Sequence, residues 1–185
     1  KNYGKQTALT MTRISGYCGW ASENWFNDHK RSGGAILDLH LHDVDWAVYA
    51  LGKPQAMTAT GTVGNTGGID DSTALYDYGD FTVSIKGSWK YSGFCMSFQA
   101  FFENAAMDYG MHPDPTLRVR KHGSSEPEVI KVDGGSAYHN EVRYFFECVR
   151  GEHANIVCPA ESTLESVRMV ELERKAIKAR KWIKL

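Results

Sequence analysis

Asp38 and His42 stand four residues apart in a chain of 185. They lie in the run from Gly33 to Leu51, where Ile36, Leu37, Leu41, Val44, Ala47, Val48 and Leu51 recur at three- and four-residue steps. That period is the signature of a helix with one buried stripe. Gly52 and Pro54 end the run, because proline cannot continue the hydrogen-bond ladder. On such a helix Asp38 and His42 share a face about one turn, ~5–6 Å, apart. Asp45 follows three positions beyond His42 on that face. A carboxylate beside an imidazole near a helix start can carry proton-transfer chemistry.

Two other readings compete. A histidine inside a helix is more often a satisfied structural residue, and Asp38 suits the positive end of a helix dipole in any case. Asp38-Leu39-His40-Leu41-His42 also resembles the Asp-x-His-x-His metal motif of amidohydrolases. That motif needs a strand, where alternate side chains point the same way. On a helix His40 and His42 diverge and cannot share a metal. The uninterrupted helical period after His42 favours the helix, and a barrel of the typical ~250 residues does not fit this length.

The whole-chain numbers describe an ordinary water-facing protein. Its length makes one domain, residues 1–185, the default. A net charge of −1 gives no reason to expect a nucleic-acid partner. No stretch is apolar enough to span a membrane, and nothing at the front reads as a signal peptide. Cys18, Cys95, Cys148 and Cys158 are widely spaced, which suits reduced thiols in a cytoplasmic protein. The chain opens on Lys1 with a strand-like segment close behind it, as expected for a piece of a longer protein.

The elements that must hold the Asp38/His42 helix follow from local patterning. Residues 8–17 predict a first strand. An irregular segment with Trp20, Trp25 and Phe26 leads to the helix. Strands are expected over 56–63, 74–78, 81–89, 92–102, 103–109, 117–121 and 128–132, with a turn at His112-Pro113-Asp114-Pro115. Helices are expected over 136–150 and from Pro159 to about Lys178, with a short last strand at 182–185. Strands joined by short turns favour an antiparallel meander. The fold class is α+β: an open-faced, mostly antiparallel sheet with helices packed on one face. Trp89, Tyr91, Phe94, Phe98 and Phe101 supply enough aromatic surface to expect a homo-oligomer contact on the other face. No glycine-rich phosphate loop of either common kind is present, and no Gly-x-Ser-x-Gly elbow.

Trp25, then Gly33-Gly34-Ala35-Ile36-Leu37-Asp38-x-x-x-His42-x-x-Asp45, then Gly52-Lys53-Pro54 resembles the second domain of the glucose–fructose oxidoreductase / inositol dehydrogenase / rhizopine catabolism family. Tyr138-x-x-Glu141-x-x-x-Phe145, Gly151 and Pro159 to Leu164 are similar to its late helical pair. Ala35 replaces the family's third glycine, and His40 stands where the family usually has glycine. The resemblance implies a dihydrodipicolinate-reductase-like C-terminal domain whose nucleotide-binding half, with its glycine-rich loop and catalytic lysine, is not in this sequence. It further implies NAD or NADP as cofactor, a sugar- or polyol-like substrate, and hydride transfer with His42 as general base and Asp38 beside it. Trp25, His40 and Tyr91 are candidates for lining the sugar site. The alternatives are a metal-dependent hydrolase using Asp38, His40 and His42, or a non-catalytic assembly domain.

Overall fold

The computed structural model describes residues 3–111, 116–131 and 134–185. Among the described residues nine strands form one sheet: β1 (Gln6–Ile14), β2 (Ala56–Val63), β3 (Ile69–Asp77), β4 (Thr82–Ser88), β5 (Cys95–Phe102), β6 (Ala105–Tyr109), β7 (Leu117–Lys121), β8 (Glu128–Ile130) and β9 (Ile183–Lys184). Their order across the sheet is β8-β7-β6-β5-β1-β4-β3-β2-β9. The helices are α1 (His29–Ser32), α2 (Ala35–Asp38), α3 (Leu41–Leu51), α4 (Ala137–Val149) and α5 (Ala160–Ala179). The α+β class with a mostly antiparallel open sheet is as expected from the sequence.

One pairing breaks the meander. β1 and β4 lie side by side and run parallel, Leu9 opposite Val83 and Met11 opposite Ile85. Every other pairing in the sheet is antiparallel. The parallel pair becomes possible because the chain between the two strands carries α1 to α3 and a hairpin, long enough to cross over. The expected turn at 112–115 and the end of the strand predicted over 128–132, at Val132, fall outside the described residues.

Alternation along each strand decides what the helices cover. Leu9 and Met11 on β1, Tyr76 and Ala74 on β3, Val83 and Ile85 on β4, and Met57 on β2 are buried beneath α2, α3 and α5. From above, α5 contributes Met169, Val170 and Ala176, and α3 contributes Val44 and Ala47. Val44 and Ala47 are three apart, and Ser166, Met169, Val170, Glu173 and Ala176 recur at three- and four-residue steps, which makes one stripe on each helix. The opposite face carries Thr10, Thr12, Thr73, Ser84 and Gln99, together with half-exposed Leu75 and Phe101.

The aromatic face expected from the sequence therefore divides. Phe98 and Phe101 are three apart on one strand and point to opposite sides. Phe98 faces the helix layer, stacked against Trp46 of α3. Trp89 is 1% exposed and anchors a second small core with Ala35 and Leu39, with Tyr17 and Phe26 packed against it. Tyr91 and Phe94 sit in the loop after β4. Of the five, only Phe101 lies on the open sheet face.

Candidate functional site

The helix predicted over 33–52 is broken. Gly34 starts α2 at φ 76, and a Cβ there would meet Ile69 O of β3 at 3.2 Å, so only glycine lets the helix start this close to the sheet. The ladder then slips. The Leu39 and His40 N–H groups both donate to Ala35 O at 2.9 Å, and the Asp43 and Val44 N–H groups both donate to His40 O. Leu39 and His40 keep right-handed helical angles. The five-residue bond at His40 is a π-type bulge, a feature common at functional sites. Asp38 ends α2, and His42 lies in the first turn of α3.

His40 explains the slip. Its side chain is fully buried, with Nε2 2.9 Å from Glu173 Oε2 of α5. The contact is off the line of an aligned hydrogen bond, so it is a close polar contact between two buried groups. Glu173 Oε1 accepts a 2.6 Å hydrogen bond from the Tyr76 hydroxyl on β3. Burial, and next the charge of Glu173, push the Tyr76 hydroxyl well above its ordinary pKa. Gly87 of β4 makes the room: a Cβ there would come within 2.6 Å of His40 Cβ. This corrects two sequence readings. His40 does not line an accessible cleft, and it cannot join exposed His42 on a metal. No group of three or more metal-capable side chains exists among the described residues.

Asp38 and His42 are neighbours without a hydrogen bond between them. Burial raises the Asp38 carboxyl above the ordinary carboxylate range, and the nearby charge of His42 offsets part of that rise. The Cys18 thiol is also pushed up, by burial and then by the charge of Asp38, which places the carboxylate close to the β1–α1 loop. Asp45 accepts a 2.6 Å hydrogen bond from Ser166 Oγ and so ties α3 to α5.

The pair stands between two hollows. Asp38 lines one, of about 430 Å³, with Tyr17, Cys18, Trp20, Trp89 and Phe94. His42 lines the other, also about 430 Å³, with Arg13, Asp43, Trp46, Phe98 and Tyr109. Trp25 lies in a short 3₁₀ turn (Ser22–Asn27), stacked on Phe26 at 3.9 Å, and borders neither hollow. Tyr91 is exposed and borders a third hollow, beside Tyr17, Asn65 and Lys90. The structure thus gathers Asp38 and His42 and leaves Trp25 and Tyr91 apart from them.

The Arg13–Asp43 pair escaped the sequence reading. Arg13 Nη2 and Nε reach Asp43 Oδ1 at 2.7 and 3.1 Å. The available signal was an arginine on the Leu9–Met11 face of an otherwise apolar and threonine-rich strand.

A dinucleotide finds no cradle among the described residues. The first turn of α2 rests on β3 and does not face outward. The Gly64–Gly68 turn joins β2 to β3 and packs on His29. These residues do not fit the phosphates of a nicotinamide cofactor.

The fold has many solved counterparts. UDP-N-acetylglucosamine 3-dehydrogenase of Acidithiobacillus ferrooxidans is 17% identical with a TM-score of 0.77; the match covers 96% of this chain and 55% of that one. Aldose-aldose oxidoreductase of Caulobacter crescentus, solved with glycerol, is 14% identical with a TM-score of 0.81, covering 99% of this chain and 56% of that one. An NAD binding oxidoreductase of Klebsiella pneumoniae is 14% identical with a TM-score of 0.76, covering 99% and 60%. The chain therefore spans somewhat more than half the length of these proteins. No curated protein matches it. The family profile described as the GFO/IDH/MocA C-terminal domain matches residues 3–112, which include β1, the Asp38/His42 helices and the sheet through β6. This chain belongs to the GFO/IDH/MocA C-terminal domain family.

Proposed function

We propose that the chain is the substrate-side domain of an NAD(P)-dependent oxidoreductase that oxidises a hydroxyl-bearing carbon of a sugar or polyol. The observation that carries this reading is the Asp38–His42 pair, half-buried Asp38 and exposed His42 standing between two hollows where α2 gives way to α3. In the reaction His42 takes the hydroxyl proton; a nicotinamide, held by residues other than these, would supply the hydride acceptor. A positioned base of this kind contributes roughly 10²–10⁴-fold. Asp38, held close by the α2–α3 slip, orients the imidazole or accepts a substrate hydroxyl. Because these residues do not fit the dinucleotide phosphates, the cofactor belongs to a nucleotide-binding half carried by the longer protein. The isolated domain is then inactive.

Family membership, and similarity to solved proteins named as a UDP-N-acetylglucosamine 3-dehydrogenase, an aldose-aldose oxidoreductase and an NAD binding oxidoreductase, support this reading. We also place a homo-oligomer contact on the open sheet face, where Leu75 and Phe101 are exposed. The test is to express the full-length gene product and follow NAD(P)H formation against a panel of aldoses and polyols. Turnover by the full-length protein and none by residues 1–185 is expected. Failure of the full-length protein to reduce either nicotinamide with any member of the panel would sink the proposal.

A further inference from the structure

The loop after α4 folds back on that helix and brings three reactive side chains into line. Cys148 Sγ lies 3.4 Å from His153 Nδ1, and His153 Nε2 lies 3.3 Å from Glu147 Oε2. With Nε2–H donating to the carboxylate, Nδ1 carries the lone pair and accepts from the Cys148 thiol. Arg143 Nε stands 3.8 Å from Oε1 of the same carboxylate. Tyr144 stacks on the imidazole at 4.9 Å. The Tyr144 hydroxyl also fixes the loop, accepting from the Ile156 and Val157 N–H groups at 3.0 and 3.1 Å. A thiol, a base within hydrogen-bond reach and a third group that orients the base make the general arrangement of an activated nucleophile. All three residues lie beyond residue 112, outside the stretch that the family profile matches. Half-buried Cys148 lines a hollow of about 530 Å³ with Val142, Phe145, Phe146, Asn155 and Cys158.

We infer that Cys148 is a thiol-modification site, with His153 as its base and a low-molecular-weight disulfide as its reagent. Cys148 Sγ attacks one sulfur of the disulfide, and its proton passes to His153 Nδ1. The new S–S bond forms as the old one breaks. The departing thiolate takes the proton from Nδ1 and leaves as a thiol. Cys148 is oxidised and the released sulfur reduced, so the exchange balances without a further oxidant, and excess thiol reverses it. Hydrogen bonds within the loop favour this chemistry over acyl transfer. Acyl transfer builds an oxyanion that needs free N–H donors. The N–H groups of Gly151, Glu152, Ile156, Val157 and Cys158 already donate to acceptors within α4 and the loop. Displacement at sulfur builds no oxyanion. Glu147 does not touch the reagent and acts by positioning the imidazole.

Cys158 is an internal control. It lines the same hollow and is more exposed, but its sulfur meets the Thr163 hydroxyl at 3.6 Å in place of an imidazole. The experiment mixes the fully reduced full-length protein with glutathione disulfide at pH 7 and at pH 10. Samples are quenched in acid at intervals and each cysteine peptide is followed by mass spectrometry. At pH 7 Cys148 is expected to take up glutathione faster than Cys158. His153→Ala should slow Cys148 about threefold to tenfold at pH 7 without slowing Cys158, and Glu147→Ala should slow it in the same direction. At pH 10 thiols ionise without a base, so both variants should match the wild type. His153 is exposed, so its truncation spares the fold. Cys158 outpacing Cys148 at pH 7, an unchanged Cys148 rate in His153→Ala at that pH, or a deficit that persists undiminished at pH 10 overturns the inference.

Discussion

His40 and Glu173 make a sharp thermodynamic test, because both are fully buried and each is the other's partner across two helices. Removing one member of a buried polar pair leaves an unsatisfied group in the core and costs ~1–3 kcal/mol. Glu173→Leu also strips the acceptor from the Tyr76 hydroxyl, which sits 2.6 Å from Oε1, adding roughly 1–3 kcal/mol. Replacing the whole set with apolar groups of similar shape should be close to neutral, or stabilising by ~1–4 kcal/mol. His40→Leu and Glu173→Leu alone are therefore expected to lower Tm strongly, at about 2–4 °C per kcal/mol for a domain of this size. The triple variant His40→Leu/Glu173→Leu/Tyr76→Phe should recover most of that loss. The assay is thermal unfolding at pH 7 followed by circular dichroism, with each single, double and triple variant in the cycle. Single variants within about 1 kcal/mol of the wild type, or a triple variant no better than the sum of the singles, would refute a coupled buried network.

Other outcomes follow from the same geometry. Gly87→Ala pushes a Cβ to within 2.6 Å of His40 Cβ and should cost ~1–3 kcal/mol in the wild-type background but much less in a His40→Gly background; equal costs in the two backgrounds would show that the space is not shared. Asp38 is raised first by burial, so its ionised form is disfavoured in the folded state. Asp38→Asn should accordingly raise Tm at pH 7, with the gain shrinking as pH falls through the raised folded-state pKa and gone below the unfolded value of ~3.9. A drop in Tm at every pH would contradict this. The same substitution removes the charge that helps hold up the Cys18 thiol, so iodoacetamide should label Cys18 faster at pH 8; an unchanged rate would separate the two residues.

The sequence made some of this legible and hid the rest for identifiable reasons. β2 and β7 appear with the bounds that alternation and turn residues predict, since those signals are local. The Ile36-to-Leu51 stripe shows a helix but not its slip, because the slip depends on what His40 finds beneath it in Glu173 and Gly87. Glu173 was hidden among charged neighbours at the basic end of α5. It nevertheless falls on the Ser166, Met169, Val170, Ala176 stripe, and that register marks it as buried. The parallel β1–β4 pairing leaves no trace in local periodicity, for it concerns which strands meet and not how each is patterned. Asp38 and His42 were legible from spacing, while the adjacent Asp43 became noticeable only once Arg13 was seen opposite.

The central claim is that His42 takes a proton from the substrate hydroxyl, and single-turnover kinetics on the full-length enzyme test it most directly. With His42→Ala the hydride-transfer rate at saturating substrate should fall by ~10²–10⁴. Dinucleotide affinity should stay at the wild-type value. A variant that transfers hydride at the wild-type rate would contradict the account.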